Sequence, residues 1–124
     1  MIRPIILSGP CNVTIDFGDN GLDCVAADML QMSYQLGTNL KGLYLSGNSL
    51  AEQLENDVSG STFQYSSELT VLDLARNGFK TLPTDVFRHA ISLEELNLGE
   101  YSLQFFDFQL SHMVKLLKLN LSYN

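Results

Sequence analysis

Leucines recur along this chain at a fixed internal spacing. The segment Leu40-Lys-Gly-Leu43-Tyr-Leu45-Ser-Gly-Asn48-Ser-Leu50 fits L-x-x-L-x-L-x-x-N-x-L at every defined position. The pattern returns with Phe in the last slot as Leu69-Thr-Val-Leu72-Asp-Leu74-Ala-Arg-Asn77-Gly-Phe79. It returns with Tyr in the Asn slot as Leu93-Glu-Glu-Leu96-Asn-Leu98-Gly-Glu-Tyr101-Ser-Leu103, and a fourth time as Leu116-Leu-Lys-Leu119-Asn-Leu121-Ser-Tyr-Asn124. Leu43 and Leu72 are 29 residues apart, Leu72 and Leu96 are 24, and Leu96 and Leu119 are 23. Residues two apart on a strand point to the same face. Each copy therefore predicts a short strand with its leucine pair in the core. Tyr44, Asp73, Asn97 or Asn120 then stands between the two, facing outward.

A motif of this form with a period of about 20–29 residues is a leucine-rich repeat. The predicted fold is a solenoid of the α/β horseshoe type. One parallel strand per repeat lines the concave face, with mostly loops and short helices on the convex side. The return halves repeat as well. Phe63, Phe87 and Leu110 each lie six residues before the next motif leucine, which predicts a stacked convex spine. Asn48, Asn77 and Asn124 form a predicted asparagine ladder, bonding main-chain groups of the next loop, because a buried loop must satisfy its backbone. Tyr101 interrupts that ladder. Pro83 suits the loop leaving its strand, since it has no N–H to offer a helix interior. The longer first repeat carries Ser49-Leu-Ala-Glu52 at capping-box spacing, followed by Leu50, Leu54 and Val58 at helical intervals. A short helix is expected there.

Residues 1–39 do not fit the motif and are expected to cap the repeats of residues 40–124, since a solenoid end exposes apolar edge. Val13, Ile15 and Phe17 alternate as on a strand, and Asp19-Asn20-Gly21 is a turn signal. Antiparallel strands at 13–17 and 22–26, closed by Cys11 and Cys24, would make a disulfide-capped β-hairpin. Closing such a loop is worth about 3 kcal/mol in the chain-entropy model. Two free thiols in a cytosolic chain are the alternative. Asn12-Val-Thr14 and Asn120-Leu-Ser122 are glycosylation acceptor patterns. Together with a disulfide they predict an extracellular setting.

Composition removes several function classes. The chain has 124 residues, is 45% apolar, and carries 14 acidic against 7 basic residues, a net charge of −7. No basic cluster exists to hold the phosphates of a nucleic acid. No apolar stretch reaches the ~20 residues of a membrane span. Two cysteines and two histidines, His89 and His112, make no metal site and pair with no nucleophile. No phosphate loop or nucleophile elbow occurs. Neither an enzyme nor a cofactor is expected. Binding is expected on the concave face, with Tyr44, Asp73, Arg76, Glu95, Asn97 and Lys118 as candidates and Tyr44, Asp73 and Asn97 in one row.

The stretch Leu69–Phe87, of the form L-x-x-L-x-L-x-x-N-x-F-x-x-L-P-x-x-x-F, resembles animal extracellular leucine-rich repeat receptors. The cysteine pair 13 positions apart, followed by Met32-Ser-Tyr-Gln-Leu36 and the strand at Leu43, resembles the N-terminal cap of Toll-like receptor ectodomains, as do the uneven repeat lengths. The resemblance covers residues 11–124. It departs in lacking proline at Ser33 and Gly37, a C-terminal cysteine cap, a transmembrane helix and a signalling domain. It implies a ligand-recognition fragment of an innate immune pattern-recognition receptor, cell-surface or endosomal. Such a fragment would bind a protein or microbial ligand and act through receptor dimerisation. A structural or adhesive protein of matrix or neuronal surface is the alternative. Because the sequence stops at Asn124 beside an uncovered flank of Leu116, Leu119 and Leu121, a tail-to-tail homodimer is expected.

Overall fold

The computed structural model describes residues 5–7, 12–16, 18–19, 21, 39–99 and 110–122. Their strands are β1 (Ile5–Leu7), β2 (Asn12–Asp16), β3 (Asn39–Tyr44), β4 (Val71–Asp73), β5 (Glu95–Asn97) and β6 (Lys118–Asn120). They form one sheet in chain order. β1 and β2 are antiparallel, and every later pairing is parallel. Leu43, Leu72, Leu96 and Leu119 stand in register across β3–β6. The first three are at most 1% exposed. Full burial of one leucine is worth roughly 1.5–3 kcal/mol, so register is strongly specified: a one-residue slip would turn the whole row to solvent.

The return segments close the core from the other side. The rings of Phe63 and Phe87 stack with centroids 5.9 Å apart, and half-buried Leu110 packs against the same core. Ser66, Ala90 and Met113 each follow these residues by three positions and are buried. Asn77 has its carboxamide in the interior. Its Nδ2 donates to the carbonyls of Leu45 (2.9 Å), Leu74 (3.0 Å) and Ala75 (3.2 Å), and its Oδ1 accepts from the Leu50 N–H (3.2 Å). Asn48 Nδ2 also donates to the Leu45 carbonyl, at 2.9 Å. The direction differs from the expected one. Asn77 ties its own loop to the loop of the preceding repeat, sharing the Leu45 carbonyl with Asn48. Asn124 and Tyr101 lie outside the described residues.

Two further expectations are corrected. The helix α1 spans only Ala51–Glu55, begins at Leu50 rather than Ser49, and has no side-chain cap. Leu54 is buried in it as expected, but Val58 lies beyond it and is 75% exposed. Asp57 ends the helical course: its carboxylate accepts from Ser61 N–H (2.9 Å), Ser61 Oγ (3.1 Å) and Thr62 N–H (3.0 Å), which founds a 3₁₀ turn at Ser61–Phe63. Gly60 makes that change of direction at φ 72°, where a side chain would run into the Asp85 carbonyl.

The hairpin differs too. β2 has β1 on one edge and β3 on the other, and the expected strand at 22–26 lies outside the described residues. The antiparallel partner is the preceding segment, Ile5–Leu7. Cys11 and Cys24 lie outside the described residues. Nor does the motif begin at Leu40. Ile15 pairs with Leu43 and Asp16 with Tyr44. Asp19 N–H donates to the Ser46 carbonyl (2.9 Å), as Gly47 N–H does to Ala75 (3.0 Å). The sheet thus runs unbroken through residue 39.

Candidate functional site

The residue between the two core positions of each strand faces away from the core, and sheet register brings these residues together. Asp16, Tyr44, Asp73, Asn97 and Asn120 form one row across β2–β6, with successive strands about 4.7–4.9 Å apart. Three of the six candidate binding residues are in it. Glu95 and Lys118 stand in the next row, paired with each other and joined by a 3.5 Å ion pair. Arg76 comes from the loop after β4.

A local hydrogen bond fixes the row. In four of its five members a side-chain oxygen caps the N–H two residues on. Asp16 Oδ1 accepts from Gly18 (2.9 Å), Asp73 Oδ1 from Ala75 (3.0 Å), Asn97 Oδ1 from Gly99 (3.0 Å) and Asn120 Oδ1 from Ser122 (2.9 Å). The chain leaves the strand there, so this N–H points off the ladder and needs an acceptor. Tyr44 is the exception, with no oxygen that can reach back to Ser46. The unused half of each capping group is left for other partners: a carboxylate oxygen on Asp73 and an Nδ2 on Asn97 and on Asn120.

Beside the row lies a hollow of about 290 Å³, lined by Ser46, Asp73, Ala75, Arg76, Asn97, Gly99 and Asn120. A second, of about 210 Å³, shares Asp73, Asn97 and Asn120 and adds Tyr44, Glu95 and Lys118. Gly99 keeps the floor open: a Cβ there would sit 3.2 Å from both Asn97 Oδ1 and Asn120 Nδ2. A larger hollow of about 400 Å³ lies on the other side, around Glu55, Val58 and Thr81–Asp85. Its carboxylate is already engaged, since Glu55 Oε2 accepts from the N–H groups of Lys80 (2.7 Å) and Thr81 (3.3 Å).

Burial holds the Asp73 carboxyl above its ordinary value of 3.8; the Ala75 N–H and the Arg76 charge oppose this, and the Asp16 charge adds to it. Arg76 Nη2 lies 3.3 Å from Asp19 Oδ1. Both residues are left-handed, at φ 57° and 58°. Gly47, at φ 71°, lies between them, and a side chain there would collide with Asp19. Asp16 and Asp19 were not among the sequence candidates. The signal was present: Ile15-x-Phe17-x-x-Asn20-x-Leu22 repeats the second half of the motif 28 residues before Leu43. His112 Nε2 lies 4.0 Å from Asp85 Oδ1, away from this face.

Fold and row together define a class: a leucine-rich repeat solenoid with one outward position per repeat that is polar. Residues 67–124 match the leucine rich repeat family. The chain is 38% identical over 87 residues to transforming growth factor beta activator LRRC33 from Danio rerio, covering 70% of this chain and 12% of that protein. It is 36% identical over 76 residues to Toll-like receptor 4 from Pinctada imbricata, covering 61% of this chain and 8% of that one. The chain thus spans about a tenth of the length of these relatives. No solved structure matches it at comparable significance. Among the described residues no helix is long and apolar enough to cross a membrane.

Proposed function

We propose that this chain is part of an extracellular receptor ectodomain and binds its ligand on the open face of the sheet, without catalysis. The observation that carries this is the in-register row Tyr44–Asp73–Asn97–Asn120, which is polar while the leucines flanking its first three members are buried and those flanking Asn120 are partly so. The relatives' names, one a Toll-like receptor, support recognition over chemistry. The test is binding of the labelled chain to a panel of bacterial and fungal cells and of extracellular proteins. Asn97→Arg should abolish saturable binding to at least one member, and Glu52→Arg, on exposed α1, should leave it intact. Binding that survives Asn97→Arg moves the site off this face, and binding to no member overturns the proposal.

An extracellular setting further requires a Cys11–Cys24 disulfide, which mass analysis without reductant would detect as two missing hydrogens. It also assigns any glycan to Asn12, because a glycan at Asn120 would cover the row. Pairing of two chains would use the flank of Leu116, Leu119 and Leu121, which are only partly buried. Light scattering of wild type against Leu121→Lys tests it: an unchanged mass removes dimerisation from the proposal.

A further inference from the structure

We propose that the ligand of the open sheet face is a neutral, hydroxyl-rich oligosaccharide lying across strands β3–β6. This rests on the recognition role just stated and specifies its ligand class. Lining, charge, spacing and preorganisation carry it. The larger of the two hollows on this face is lined mainly by hydrogen-bonding groups, and the smaller sets Val71, Leu72 and Leu96 beside Tyr44, Asp73, Asn97 and Asn120, a mix that suits a ligand with both polar and apolar faces. The groups along the row are mixed in kind: a carboxylate acceptor on Asp73, Nδ2 donors on Asn97 and Asn120, and the Ser46 hydroxyl, which is both. A sugar hydroxyl is also both donor and acceptor, so it can meet any of them. A peptide side chain of fixed character meets only some.

Charge narrows the class further. Asp73 has Arg76 beside it, and Glu95 has Lys118. Across β3–β6 the described residues therefore offer no cluster of cations for a polyanion; the further carboxylates, Asp16 and Asp19, lie at the β2 edge beyond them. Tyr44, half-buried at one end, offers an apolar ring with a polar tip, which suits the mixed faces of a pyranose. Spacing fits as well, because the groups recur once per strand, about 4.7–4.9 Å, close to the rise of one sugar unit. Each amide is already held by its bond to the following N–H. Binding therefore freezes few side chains, and preorganised donors bind more tightly than mobile ones.

The experiment titrates the full 124-residue chain with cellohexaose, chitohexaose, laminarihexaose and mannohexaose. It follows the side-chain NH₂ resonances of Asn97 and Asn120 by NMR and the affinity by calorimetry. At least one hexaose should shift both resonances saturably. The key variant is Asn97→Asp. Asp73 shows that a carboxylate can cap the i+2 N–H, so this variant keeps the cap while it replaces the donor by a charged acceptor. It should weaken binding about tenfold, the effect of one well-formed hydrogen bond. Gly99→Val, which fills the floor, should abolish binding, with the circular dichroism spectrum as the fold control. Failure of all four hexaoses to shift these resonances overturns the proposal, as does binding that Asn97→Asp leaves unchanged. If the hexaoses fail while a protein or an anionic heparin oligosaccharide binds in an Asn97-dependent way, the oligosaccharide class falls and recognition by this face stands.

Discussion

Asn77→Ala tests the account of what holds successive repeats together. Asn77 is 4% exposed and serves two repeats at once. Its Nδ2 supplies the carbonyls of Leu45, Leu74 and Ala75, and its Oδ1 takes the Leu50 N–H. Two N–H protons meet three carbonyls, so one proton is shared. Alanine removes donor and acceptor together and leaves no room for a replacement. A net hydrogen bond is worth roughly 1 kcal/mol, and a buried group left unpaired costs about 1–3 kcal/mol. Leu45 keeps Asn48 as a partner, which softens one loss. The Leu50 N–H and the Leu74 carbonyl have no such substitute among the described residues. The expected cost is about 2–4 kcal/mol, a large share of a domain's ~5–15 kcal/mol. Urea denaturation would show it as a lower midpoint at unchanged slope. Asn77→Asp sharpens the test. It keeps the acceptor for Leu50 but sets a carboxylate against three carbonyls, so it should cost at least as much as alanine. A cost for Asn77→Ala below about 0.5 kcal/mol, less than one net hydrogen bond, or an aspartate variant more stable than the alanine one, would refute the reasoning.

Ser66→Ala should raise stability by about 1 kcal/mol, because the Ser66 Oγ is buried without a hydrogen-bond partner and the equivalent position one repeat on is Ala90; a lower urea midpoint would contradict this. Gly47→Ala should be costlier than Gly78→Ala. Both have positive φ, 71° and 78°, and share the left-handed strain of about 1–2 kcal/mol, but only Gly47 adds a collision with Asp19. Equal melting temperatures for the two variants would count against the close approach. Asp73→Asn should stabilise the protein at neutral pH, since a folded-state pKa above 3.8 means that the ionised carboxylate opposes folding. The wild type regains that stability as pH falls through the raised value towards 3.8, so the variant's advantage should shrink on acidification. An advantage that grows as pH falls would reverse the sign of the argument.

How much of this was legible in the sequence differs by residue. Leu43, Leu72, Leu96 and Leu119 were legible because one physical demand, burial in register, fixes all four. The outward row followed from strand alternation alone. The place of β2 in the repeat row was hidden because its match is partial. The register shifts between Val13 and Thr14, so Val13 meets Leu40. Only Thr14 onward keeps step with the later strands. The helix at Ala51–Glu55 was found but overextended. Capping-box spacing is a local signal, and the Asp57 carboxylate, bonding forward to Ser61 and Thr62, outcompetes it. The side-chain caps within the row escaped notice because their cause is the N–H two residues later, which no hydrophobic pattern marks. An aspartate or asparagine mid-strand with Gly, Ala or Ser two residues on was the available cue.

The capping role also separates structural from functional constraint within the row. A repeat needs an oxygen at this position to hold the following N–H, so Asp16, Asp73, Asn97 and Asn120 are explained without any ligand. What the fold does not explain are the departures. Tyr44 gives up the cap. Arg76 occupies a left-handed position that glycine holds at Gly47, at a cost of about 1–2 kcal/mol. Its 3.3 Å pair with Asp19 does not offset that strain, because both side chains are about half exposed and such pairs contribute little. The Arg76 guanidinium lines the hollow of about 290 Å³ beside Asp73. On the proposed reading, Tyr44 and Arg76 would give the face its selectivity, and the capped residues Asp73, Asn97 and Asn120 its rigidity.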